Sequence, residues 1–197
     1  PDYPEDVEGE PPENLNGYTD GGVKNPSSSL WQMAGFGMWW PQPPEPHEDD
    51  QLTRYTYQQQ IGDGIMMWGN MSGQHAHSTR TELAALLVAM LRPIPLHIGT
   101  DSQAMITKAD LLIDQAVLWQ LRTGTAHWTT ANPRGKPWGL QKDGDRWERF
   151  WAALLLRGPR TLRLTKIRAH CSTQDEEDGL IKKEHRVGNG FADTAAT

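Results

Sequence analysis

Thr79–Leu91 (TRTELAALLVAML) is a hydrophobic segment of strong helix formers stopped by Arg92-Pro93, and Leu96–Thr100 (LHIGT) follows as a short strand of buried type. A helix this apolar beside such a strand needs cover from other elements, which points to layered α/β packing. The rest of the chain supplies them. Leu15–Thr19 reads as a first strand and Gln32–Trp40 as a second, and a third lies within Leu52–Ile61 or Gly64–Met71, or spans both as a hairpin. Ser102 is placed to cap a helix running to about Ile113–Leu118. Asp145–Arg157 is amphipathic and ends at Gly158-Pro159, and Thr161–Arg168 alternates as a half-buried strand does. The order β-β-β-α-β-α-insert-α-β-loop-α describes one α/β domain with a mixed five-stranded sheet flanked by helices. It is not a dinucleotide-binding fold: GxGxxG and GxxxxGK[ST] are both missing.

With 197 residues, 37% of them apolar and 22% charged, the chain suffices for one sizeable core and reads as a soluble globular protein. The single cysteine, Cys171, excludes an internal disulfide and argues against a cysteine-based zinc cluster. No apolar run approaches the roughly 20 residues of a membrane span, and the acidic start (PDYPEDVEGEPPEN) is unlike a signal peptide. The expectation is therefore an intracellular protein, nuclear or cytoplasmic, without membrane contact. Residues 1–14 have little to bury and read as a disordered acidic linker before a domain over 15–197. The missing initiator Met, and a last residue inside a beginning helix, suggest a piece of a longer chain.

Net charge is -6, but it is unevenly spread. Residues 1–60 carry 11 acidic and 2 basic groups, whereas residues 122–170 carry 3 acidic and 11 basic ones. A basic stretch in an acidic chain is a candidate phosphate-facing surface, or simply a solvated face. Within it, the insert 119–144 mixes Trp119, Trp128 and Trp138 with Arg122, Arg134, Lys136 and Lys142. Such side chains contact sugar and phosphate without reading sequence, or the tryptophans pin a long loop to the body. Trp147 and Trp151, four apart on one helix, read as packing residues.

Four carboxylates stand where strands end or helices begin. Asp20 closes the first strand, Asp101 follows Leu96–Thr100, Glu82 opens its helix in capping-box spacing with Thr79, and Asp193 lies near the start of a last helix between Ala192 and Ala195. Each alone serves as a cap or turn former as readily as a ligand. Together, four carboxylates at one point repel unless cations neutralise them, and hard divalent ions favour such an all-oxygen site.

The ordered set Tyr18-Thr19-Asp20-Gly21-Gly22, Ala34-Gly35-Phe36-Gly37, Thr79-Arg80-Thr81-Glu82-Leu83-Ala84-Ala85, Thr100-Asp101-Ser102, Ile167-Arg168-Ala169-His170 and Gly188-Asn189-Gly190-Phe191-Ala192-Asp193 resembles the ribonuclease H family, including domains attached to reverse transcriptases. The pieces span most of residues 15–197. The resemblance implies an RNase H-like sheet, two Mg²⁺ ions (with Mn²⁺ as a substitute) on Asp20, Glu82, Asp101 and Asp193, and cleavage of the RNA strand of RNA–DNA hybrids to 5′-phosphate and 3′-hydroxyl ends. It further implies that His170 assists, orienting water or releasing product. His170 precedes Asp193 by 23 positions, a longer spacing than is usual in the family, so residues 171–188 read as an inserted acidic loop and His185, eight positions before Asp193, is the rival.

Contacts to substrate are expected at Gly21, Gly22, Asn25, Gln74, Thr79, Arg80, Ser102, Arg134, Lys136 and Asn189, with 2′-hydroxyls recognised near 21–25 and 74–80. Asn189 is also expected to shape the turn before the last helix. The expected partners are a hybrid duplex and a reverse transcriptase domain in the same parent chain, with the protein itself monomeric. Two alternatives stay open: a transposase-, integrase- or resolvase-like DNA nuclease of the same fold, and a catalytically weak hybrid-binding domain of a retroelement polyprotein.

Overall fold

The computed structural model describes residues 2–28, 32–43, 51–71, 76–123 and 131–197. Gln74 and Trp128, both singled out above, lie outside the described residues. Six strands form one sheet: β1 (Gly17–Lys24), β2 (Met33–Trp40), β3 (Tyr57–Ile61), β4 (Gly64–Met71), β5 (Leu96–Thr100) and β6 (Leu162–Lys166), in the spatial order β3-β4-β2-β1-β5-β6. The expected five strands become six because Tyr57–Ile61 and Gly64–Met71 are both strands of a hairpin, joined at Gly62 in the left-handed region. β1 to β4 pair antiparallel, whereas β1–β5 and β5–β6 pair parallel.

Four longer helices cover the sheet: α2 (Ser78–Ala89), α3 (Gln103–Thr123), α4 (Gly144–Arg157) and α6 (Lys183–Ala196). Two short α-helices among the described residues are α1 (Leu52–Tyr55) and α5 (Thr173–Glu177). None of the described helices is long and apolar enough to cross a membrane.

Alternation along β2 shows how the layers form. Phe36, Met38 and Trp40 enter the main core with Leu83, Leu86, Met105, Phe150 and Trp151, whereas Trp39 joins a second cluster with Tyr18, Ile167 and Ala192. Both tryptophans of the pair are thus buried, on opposite faces, and Trp39 stacks on Phe191 with ring centroids 4.3 Å apart. Trp147 and Trp151 are core residues, as their spacing implies.

β1 departs most from the sequence reading. It continues through Gly21-Gly22-Val23-Lys24, so Asp20 lies in mid-strand opposite Gly37 rather than at the strand's end. Local propensity reads those glycines as a turn, but tertiary packing requires them. A Cβ on Gly37 would come within 2.2 Å of the Ala192 carbonyl oxygen, and one on Gly22 within 2.4 Å of that of Ala196. Glycines on the sheet and small residues on α6 therefore let that helix lie directly on β1 and β2.

Two segments expected to be irregular are ordered. The acidic loop 171–188 contains α5, opened by a reciprocal Ser172–Asp175 capping box, and the first turns of α6. Residues 2–14, expected as a disordered linker, run along the body. Asp6 N–H and Val7 N–H donate to the carbonyls of Leu156 and Arg157, and the Pro12 carbonyl meets His97 Nδ1 at 2.8 Å. Tyr3 also packs on the main core. Backbone pairing supplies what an apolar content this low cannot.

Arg157 accounts for part of the basic stretch in a way unrelated to any surface. Fully buried, it donates to the carbonyls of Met90 (2.7 Å), Arg92 (3.3 Å) and Ile94 (2.6 Å) and to Thr161 Oγ1 (3.1 Å), tying the end of α2 to α4. Burial pulls its guanidinium down to about 10. Arg157→Leu would leave those carbonyls without a donor and is expected to cost about 3 kcal/mol in urea denaturation. Arg157→Lys, which lacks the fork, should recover only part of that loss.

Candidate metal centre

Asp20, Glu82 and Asp101 converge, with one carboxylate oxygen of each within 4.8 Å of the others. Three elements deliver them. β1 carries Asp20, Asp101 leaves the end of β5, and Glu82 sits in the second turn of α2. β1 and β5 are hydrogen-bonded neighbours, Tyr18 lying opposite Gly99, so the two aspartates share one region of the sheet.

Gly21 makes the third arm possible. A Cβ there would stand 2.3 Å from the Glu82 backbone nitrogen and 2.6 Å from Thr81 Oγ1, so only glycine lets α2 approach β1 this closely. The Gly21 N–H donates to Asp20 Oδ1 at 2.7 Å. The expected capping box is not formed: α2 starts earlier, with His77 as N-cap, and Glu82 reaches Asp20 instead of the helix terminus.

The electrostatics carry the mark of crowding. Burial first, then the charges of Asp20 and Asp101, push the Glu82 carboxyl up to about 10. Burial, and next the Asp101 charge, push Asp20 up to about 6. Without a cation, burial and the neighbouring charges favour a protonated Glu82 over an ionised one. Glu82 Oε2 is buried with no hydrogen-bond partner among the described residues. An orphaned buried oxygen beside two more carboxylates is the donor set that hard, oxygen-seeking Mg²⁺ or Mn²⁺ requires. The residues fit the ion.

Asp193 lies outside the 4.8 Å group but near enough for its charge to raise Asp20 further. It is partly exposed on α6, and its Oδ2 lies 3.9 Å from Nδ1 of His170. His170 is a 77% exposed side chain on a residue of φ 48°, standing at the rim. His185 is placed differently: inside α6, its Nδ1 is 2.9 Å from the Tyr18 hydroxyl, and burial lowers its pKa. Of the two histidines, His170 is the one beside Asp193.

The expected substrate contacts divide. Gly21 and Gly22 face α2 and α6, so their missing side chains serve packing. Asn189 lies buried within α6 rather than in a turn before it. Asn25, at φ 52°, forms the turn after β1, its carbonyl accepting from Ser28 N–H. Arg80 is engaged by Asp143 and Asp145. Thr79 and Ser102 stay partly exposed beside the triad, in the first turn of α2 and just ahead of α3.

Arg134 and Lys136 line an open groove of about 420 Å³ with Lys108, Lys142 and Gln141. Trp138 is buried at its base and pins the insert to the body, the blander of the two roles open to these tryptophans. Sequence reasoning missed Lys166, whose ammonium at the end of β6 donates to the main-chain carbonyl of Asp101. Only the parallel pairing of β5 with β6, which sets Lys166 opposite Thr100, reveals that contact.

No family model and no curated protein matches the chain. Among solved structures it resembles the solution structure of the PFV RNase H domain, at 18% identity over 91% of this chain and 90% of that one, with a TM-score of 0.53. It also aligns with the foamy viral protease–reverse transcriptase in complex with dsDNA, at 18% identity over 91% and 92% of the two chains, with a TM-score of 0.48. The first likeness shows the fold: the chain has an RNase H-like architecture, and it carries an acidic triad suited to a divalent cation.

A carboxyl that holds its proton more tightly when folded costs stability as pH rises from the unfolded value near 4 through the folded one. Asp20 therefore removes stability between about pH 4 and 6, and Glu82 continues the loss up to about pH 10. Calorimetry in EDTA should show Tm falling from pH 5 to pH 8, with Mg²⁺ restoring more at pH 8 because binding releases protons. Glu82→Gln should flatten the fall and remove the Mg²⁺ gain. A Mg²⁺ gain independent of pH would contradict the assignment. Gly21→Ala, which displaces Glu82, should abolish the gain while the fold persists.

Proposed function

We propose that the chain is a divalent-cation-dependent endonuclease that hydrolyses the RNA strand of RNA–DNA hybrids, leaving 5′-phosphate and 3′-hydroxyl ends. The observation that carries this reading is the meeting of Asp20, Glu82 and Asp101 on an RNase H-like sheet. Two Mg²⁺ ions would supply activation of the attacking water and stabilisation of the leaving 3′-oxygen.

The chain's own residues divide the remaining tasks. Asp20, Glu82 and Asp101 would hold the ions, with Asp193 on α6 as the fourth carboxylate. Gly21 N–H fixes the orientation of the Asp20 carboxylate through its bond to Oδ1. His170, exposed next to Asp193, is the group placed to exchange protons with solvent and to follow the product out. Thr79 and Ser102 are the polar side chains at the rim suited to 2′-hydroxyl contacts. The groove of Arg134, Lys136, Lys108 and Lys142 holds a phosphate backbone without reading bases.

A labelled hybrid, the matching DNA duplex and single-stranded RNA, each with Mg²⁺, test the reading. Asp101→Asn should lower hybrid cleavage by at least about 100-fold, since several kcal/mol of transition-state stabilisation depend on the ions it holds. Cleavage of the DNA duplex with the hybrid spared would place the protein among DNA-processing enzymes of this fold. Hybrid binding without cleavage would leave a binding domain. Replacing Arg134 or Lys136 by Ala should weaken binding to every sequence alike and reduce the salt-dependence slope by about one each.

A further inference from the structure

We infer that Arg80, with Asp143 and Asp145, is a positioning device that holds Glu82 against its partners, and not a contact to nucleic acid. The inference rests on the metal-centre reading above. Arg80 lies in the first turn of α2, where its charge opposes the helix dipole and lowers helix stability unless it is neutralised. It is neutralised by a fork: Nη1 and Nη2 meet Asp145 Oδ1 and Oδ2 at 2.8 and 2.7 Å, and Nη1 also meets Asp143 Oδ1 at 3.2 Å. Both acids belong to the start of α4, Asp145 in its first turn and Asp143 at its N-cap. His77, the N-cap of α2, brings Nε2 to 3.0 Å from Asp143 Oδ2. The two helix starts are therefore joined at two points.

Asp143 is a buried carboxylate on a residue of φ 55°, a backbone strain of order 1–3 kcal/mol that persists only where surrounding contacts over-determine it. Those contacts are the Arg80 and His77 side chains and the N–H groups of Arg146 and Trp147, which donate to the Asp143 carbonyl at 3.0 Å. α2 carries no side-chain cap of its own at His77. Its first turn is located instead by the fork on the outside and by the Gly21 seat on the sheet side.

Geometry links the fork to Glu82. Residues two apart on an α-helix point about 200° from each other, so Arg80 pulls on the side opposite to the one from which Glu82 reaches Asp20. Rotation of the helix, and with it the Glu82 carboxylate, is set between these two grips. A planar bidentate pair fixes an angle as well as a distance, which an ammonium does not.

Direct Mn²⁺ binding by calorimetry, alongside hybrid cleavage, tests this in the wild-type chain, Arg80→Met, Arg80→Lys and Asp145→Asn. Arg80→Met should weaken Mn²⁺ about tenfold, as loss of a supporting partner typically does, and raise the half-saturating Mg²⁺ for cleavage equally. Arg80→Lys should recover part of this, and KM for the hybrid should stay within about twofold. Leu162→Ala, at the far end of β6, supplies a chain with lowered Tm and wild-type metal affinity. Should Arg80→Met not fold, Asp145→Asn carries the same expectation with a smaller loss.

Unchanged Mn²⁺ affinity in the Arg80 and Asp145 variants would overturn the inference. So would a raised KM with a shallower salt slope and intact metal binding, which would make Arg80 a phosphate contact. A wild-type chain that binds Mn²⁺ but cleaves no hybrid would remove the proposed function and leave the device standing if Arg80→Met still weakens Mn²⁺. A wild-type chain without Mn²⁺ binding would remove both.

Discussion

Carboxyl groups drawn together away from water raise one another's cost of ionisation, and much of this structure serves to impose that arrangement. Asp20, Glu82 and Asp101 would separate if α2 could retreat from β1. It cannot retreat easily. Leu83, Leu86 and Leu87 are buried in the main core, and Arg157 fastens the far end of the helix to α4. The unfavourable charge proximity at one end of α2 is offset by apolar burial along its length.

β1 is where the two halves of the molecule meet. Its odd-numbered residues from Gly17 to Gly21 face the side covered by α2, and its even-numbered Tyr18 and Gly22 face α6. The Tyr18 ring fills the space a side chain on Gly188 would need, and its hydroxyl meets His185. These contacts fix the seat of α6 and so bring Asp193 to the rim of the site. An antiparallel half of the sheet carries β1 outward, while the parallel half ends at Asp101. The triad thus forms where strands of the two kinds adjoin.

Positive charge is redistributed by the same packing. A count by segment assigns one large surplus to residues 122–170, but the fold places part of it inside, in Arg157 beneath α2. Arg134, Lys136 and Lys142 of that stretch, with Lys108 from α3, are left around one groove. That groove therefore carries only part of the surplus, and three of its four cations belong to the insert whose Trp138 is buried.

The elements legible in advance were those whose cause is local. Leu96–Thr100 is a strand with the boundaries its apolar run implied, and α2 and α4 begin within a residue of their expected starts, because contiguous apolar side chains specify burial wherever the chain goes. The choice of Asp20, Glu82 and Asp101 was legible for a related reason: an acidic side chain set in an apolar element is conspicuous. What could not be read locally was everything that depended on a distant neighbour. Gly21 and Gly22 look like a turn until helices occupy the space they leave. Gly188 looks like a helix breaker until α6 lies on the sheet against Tyr18, and residues 2–14 look unstructured until the carbonyls of Leu156 and Arg157 accept from them. Arg80 looks like a phosphate ligand until Asp145 meets it from the start of another helix, 65 residues along the chain. Composition and period determine which residues must be buried and which carry charge. Only the tertiary structure decides which of them touch, since hydrogen bonding, close approach and repulsion act over a few ångströms of space regardless of separation along the chain.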